Sequence, residues 1–74
     1  MSRLPVVKPK EVIAALSKVG FDIVRVRGSH YQLFNPVTKR RVTVPHRNND
    51  LSHGTLASVL NQADLSVDQF LSLL

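Results

Sequence analysis

Apolar residues recur at Val12, Ile13, Leu16 and Val19, the spacing of one helical face, and predict a first helix over residues 9–19. Pro9 suits a first helical turn, where its missing N–H is not needed, and Gly20 suits a left-handed stop. Phe21 is then placed to fold back on Leu16. Three β-favouring runs follow, at about 22–27, 30–35 and 40–45, separated by Gly28-Ser29 and by Asn35-Pro36-Val37-Thr38-Lys39. Such an order predicts an antiparallel meander.

Alternation assigns Val24 and Val26, Tyr31 and Leu33, and Val42 and Val44 to the core side of the sheet. Its open side then carries Ile23, Arg25, Arg27, His30, Gln32, Phe34, Arg41 and Thr43. After a polar loop over residues 45–50, Ser52 or Asp50 caps a second helix running to about Ala63, with Leu56, Val59, Leu60 and Ala63 as its buried stripe. Ser66 and Gln69 have capping-box spacing and open a short last helix, whose stripe is Val67, Phe70, Leu71 and Leu74. The fold class expected is α+β, in the order α-β-β-β-α with a short C-terminal helix. Two helices lie on one face of a three-stranded antiparallel sheet.

Length sharpens this picture. Seventy-four residues make one domain, 1–74, with a core worth only about 3–5 kcal/mol. The chain has no cysteine, so disulfides and Cys-based zinc are out, and a reducing compartment is the default. No segment is apolar enough to span a membrane, and Met1 to Pro5 lack the apolar run of a signal peptide, so the cytoplasm is expected.

Charge is unevenly distributed. All ten Lys and Arg lie between Arg3 and Arg47, with only Glu11 and Asp22 among them, a net of +8. From Asn48 onward there are three Asp and no basic residue, a net of −3. A basic front of this kind offers one surface to a polyanion, with nucleic acid the leading candidate, or serves only solubility.

The five carboxylates are scattered, and His30, His46 and His53 come from separate elements without metal-ligand spacing, so neither a metal nor any other cofactor is expected. A nuclease without a metal needs an internal nucleophile, which RNA supplies in its 2′-hydroxyl. The minimum protein contribution is then a histidine that moves protons. His30 is the candidate, since Gly28-Ser29-His30 puts an imidazole just past a tight turn where small residues let a phosphate backbone approach. An ordinary surface histidine after a polar turn has the same look. His46 is expected to serve its loop by stacking or hydrogen bonding. Arg25, Arg27, Lys39, Arg40, Arg41 and Arg47 are the candidate phosphate contacts, with Gly28 and Ser29 at the turn.

Two segments read together, Val24-Arg25-Val26-Arg27-Gly28-Ser29-His30-Tyr31 and Val42-Thr43-Val44-Pro45-His46, followed by Asp50-Leu51 and Gly54-Thr55-Leu56. Over residues 11–71 this pattern resembles the HicA-type mRNA interferase toxins. The resemblance implies a fold similar to the double-stranded-RNA-binding domain, and an RNA endonuclease acting as the toxin of a type II toxin–antitoxin system. It further implies inhibition by a HicB-type antitoxin, and places the family's catalytic histidine on His30. The chain departs from the pattern in three places. Residues 52–64 carry no Lys or Arg, Asn48-Asn49 replaces a frequent basic pair, and Tyr31 stands where a second histidine is frequent, leaving proton transfer to one residue. The competing readings are a non-catalytic RNA-binding domain, with His30 as a contact, and a protein-interaction module. An acidic antitoxin lying over Ile23, Phe34 and His30 would join inhibition to stabilisation.

Overall fold

The computed structural model describes residues 3–46 and 49–74. Helix α1 (Pro9–Lys18) leads into strands β1 (Asp22–Arg27), β2 (His30–Phe34) and β3 (Arg41–Pro45), then helices α2 (His53–Ala63) and α3 (Val67–Leu71). The strands form one antiparallel sheet in the order β1-β2-β3, so the fold is the expected α+β arrangement.

Helix ends follow the sequence signals. Glu11 accepts the Lys8 backbone N–H at 3.0 Å at the start of α1. At its end, Phe21 and Gly20 donate N–H bonds to the carbonyls of Leu16 and Ser17, a Schellman closure that needs the left-handed backbone of Gly20, φ 100°. The same closure ends α2, where Leu65 and Asp64 donate to Leu60 and Asn61, with Asp64 in the left-handed position at φ 59°. Ser52, not Asp50, caps α2 by accepting from the Thr55 N–H, and Ser66 and Gln69 form the expected reciprocal box on α3.

The core gathers Val12, Ala15 and Leu16 of α1, Leu33 of β2, Val42 and Val44 of β3, Leu56, Val59, Leu60 and Ala63 of α2, and Phe70 of α3. Leu33, Val42 and Val44 occupy the sides their alternation predicts, and Tyr31 is half-buried beside them. Leu74, expected in the stripe of the last helix, lies past its end and is exposed.

Strand β1 departs from expectation. Helices α1 and α2 pack chiefly on β3, so β1 overhangs, and Val24 and Val26 are 55% and 54% exposed, not buried. Alternation reports which face a residue points to, not whether anything covers that face. The register also shifts between Ile23 and Arg25, where Val24 makes a bulge. Ile23 consequently pairs with Leu33 and shares the helix-side face, whereas Arg25 and Arg27 pair with Gln32 and His30 on the open face. One extra residue reverses parity, and that moves Ile23 off the open face assigned to it.

Candidate active site

Arg27-Gly28-Ser29-His30 forms the two-residue hairpin between β1 and β2, with Arg27 and His30 as cross-strand partners. Gly28 has φ 58°, and a positive φ at the first central position alone is the order of a type II′ turn. A side chain added at Gly28 would meet nothing within 4 Å, so glycine is needed here for its backbone angle. His46 donates its backbone N–H to the Ser29 carbonyl and extends the β2–β3 ladder to the turn. Its ring stacks on Tyr31, centroids 4.6 Å apart and planes 24° from parallel, which is the loop role expected of it.

Pinned on both flanks, His30 is exposed at the end of β2 and borders a cleft of about 350 Å³. The opposite wall consists of loop residues 49–52 and Thr55 from the first turn of α2, and Pro45 closes the strand side. The cleft therefore brings an imidazole, the Asp50 carboxylate and the positive end of an eleven-residue helix into one concavity. That first turn carries no acidic residue to offset the dipole. Among the described residues, no three His, Asp or Glu side chains come together as a metal-binding group.

The candidate phosphate contacts do not form one cluster: three lie on the open face, and Lys39 and Arg40 lie at the β2–β3 turn. Arg27 sits beside His30, and cross-strand partners have Cβ atoms about 5 Å apart. Arg25 follows at mid-sheet opposite Gln32. Arg41 pairs with Phe34 at the far end of β2, its guanidinium 5.1 Å from the Phe34 ring centroid. Phe34 is thus half-buried under a cation, four residues or about 13 Å along the strand from His30, and does not adjoin it. Lys39 holds the β2–β3 turn in a left-handed conformation, φ 64°. Arg40 turns toward α2, donating to the Gln62 carbonyl at 3.4 Å and meeting the Asp64 carboxylate at 3.7 Å. Arg47 lies outside the described residues. His53, the first residue of α2, is exposed and does not border the cleft.

Reasoning from the sequence passed over Asp50 as a neighbour of His30, because twenty residues separate them and only the return of the chain to α2 brings them together. It also passed over Asn35, the buried polar side chain that ties the sheet to α1. The Asn-Pro pair at 35–36 was the available signal.

These features define a class of small basic α+β domain, with one histidine exposed at a hairpin and facing the start of a helix across a cleft. The chain belongs to the HicA toxin family of bacterial toxin–antitoxin systems, whose family model matches residues 9–65. Its place in such a system implies an antitoxin partner. A search of curated proteins finds no match.

Proposed function

We propose that this toxin is an mRNA-cleaving endoribonuclease acting in the cytoplasm, with His30 as its proton-transfer residue. The observation that carries this reading is the position of His30, exposed at the hairpin end, beside Arg27 and open to the cleft under α2. Arg25, Arg27 and Arg41 present cations along the open face and draw the phosphate backbone across the sheet, with Lys39, Arg40 and Arg47 as the further candidate phosphate contacts of the basic stretch of sequence. The RNA's 2′-oxygen then attacks the adjacent phosphorus and the bond to the 5′-oxygen breaks. His30 moves a proton, as base from the 2′-hydroxyl or as acid to the leaving oxygen, leaving a 2′,3′-cyclic phosphate and a 5′-hydroxyl. DNA, without the 2′-hydroxyl, is spared. A HicB-type antitoxin would silence the enzyme by covering His30.

Cleavage of single-stranded RNA by the purified chain tests this reading. His30→Ala should lower the rate by about 10²–10⁴-fold with the fold unchanged, since the side chain is exposed. Wild-type cleavage should persist in EDTA and give cyclic-phosphate ends. Cleavage retained by His30→Ala, or abolished by chelation, would overturn the mechanism, and tight RNA binding without cleavage would make the domain a non-catalytic RNA binder.

A further inference from the structure

Strand β1 is an edge of the sheet, and among the described residues no hydrogen bond closes its outer side. All six of its residues are exposed, including Ile23, Val24 and Val26 at 47%, 55% and 54%. An edge strand is a template for another strand, and the Val24 bulge and the charges of Arg25 and Arg27, which blunt this edge against strands at large, leave it open to one of complementary charge. We propose that β1 receives an extended segment of the antitoxin as a fourth strand, and that this segment alternates acidic and apolar side chains. The inference rests on the chain's membership of a toxin–antitoxin family, not on the ribonuclease reading.

The register specifies the chemistry of that segment. Ile23 and Val26 share the helix-side face with Leu33 and Tyr31, whereas Arg25 and Arg27 share the open face with Gln32 and His30. A strand laid along β1 therefore meets apolar groups on one face and guanidinium groups on the other. Acidic residues opposite Arg25 and Arg27 and apolar residues opposite Ile23 and Val26 complete both. A second copy of the chain, with a net charge of +5, would bring like charge to a basic edge. RNA pairs with arginines but supplies neither a backbone that continues a β-ladder nor side chains to cover Val24 and Val26. The added strand would lie two strand spacings, about 10 Å, from the strand that bears His30, so a partner anchored there needs little reach to shade the cleft.

Amide hydrogen exchange tests the proposal, using the free chain and its complex with the protein encoded by the adjacent reading frame. Outward-facing amides of residues 22–27 should exchange about 100-fold more slowly in the complex, with the turn at Val37 unchanged. Val24→Ser and Val26→Ser, which remove the apolar surface without adding charge beside Arg25 and Arg27, should each weaken the complex about tenfold and leave the free domain's RNA cleavage as it was. Val37→Ser, at a position 88% exposed in the β2–β3 turn, should leave both the complex and the cleavage unchanged. A complex that forms without protecting β1, or no complex, overturns the proposal. So does protection that rises with concentration of the free chain alone, which would assign the edge to a second copy, or equal protection by RNA. The His30→Ala assay is read separately, so either reading can fail without the other.

Discussion

Along β3, the Gln62 side chain accepts the Thr43 backbone N–H at 3.0 Å, and Arg40 reaches the end of α2 through the Gln62 carbonyl and Asp64. Helices α1 and α2 pack chiefly on that strand, and its Val42 and Val44 are almost fully buried. Along β1 no residue is buried and a bulge interrupts the pairing at Val24. The sheet is thus asymmetric: one edge is joined to the core, and the other is held chiefly by its neighbour β2. A domain with roughly 3–5 kcal/mol of core stabilisation gains nothing in stability from leaving three apolar side chains in water. Exposed apolar surface of this kind marks an interaction site, and here it adjoins the hairpin that carries His30.

The largest effect that separates the two regions is on stability. Leu56→Ala, on the α2 face packed toward β3, should cost about 2–5 kcal/mol and leave the domain largely unfolded at room temperature. Val26→Ala on β1 should stay within about 0.5 kcal/mol. Urea unfolding followed by circular dichroism measures both. Comparable losses would mean that β1 is stabilised by packing as much as β3 is.

This asymmetry also marks how far the sequence could be read. Helix faces, caps and strand positions were legible because each depends on residues within a few positions, as with Pro9 and Gly20 around α1 or Ser66 and Gln69 on α3. The core sides of β2 and β3 were legible for the same reason. Burial of β1 was not, because it depends on where the helices come to rest, and the parity of Ile23 was lost to a one-residue bulge with no composition signal. His30 and its turn were visible from Gly28-Ser29-His30, whereas the cleft facing it, with Asp50 and the start of α2, is a product of tertiary folding.

Asn35 joins the end of α1 to the β3 side of the sheet, and its removal should have the next largest effect. Its side-chain amide donates to the Val19 carbonyl at 3.0 Å, and its oxygen accepts the N–H groups of Val37 and Thr38 at 2.9 and 3.3 Å. One buried side chain thus ties the end of α1 to the turn that sets the β2–β3 register. Asn35→Ala strands these groups and should cost about 1–3 kcal/mol, lowering Tm in a calorimetric scan. An unchanged Tm would show that water replaces the side chain and that β3 does not depend on this tie.

The smallest effect is the most direct test of what closes an edge. Gln62 is half-buried and contributes one hydrogen bond to the rim of β3, so Gln62→Ala should cost about 0.5–1.5 kcal/mol. Its more telling result is local: the Thr43 amide, protected in the wild type, should exchange faster and approach the outward amides of β1. The substitution leaves Val42 and Val44 in the core, so the β3 edge would gain open backbone groups without exposed apolar side chains. If an antitoxin strand recognises edge amides alone, the variant should bind a second segment along β3. If recognition also requires the Ile23, Val24 and Val26 surface and the neighbouring Arg25 and Arg27, binding stays at β1 with unchanged stoichiometry, which is the outcome the contrast between the two edges predicts.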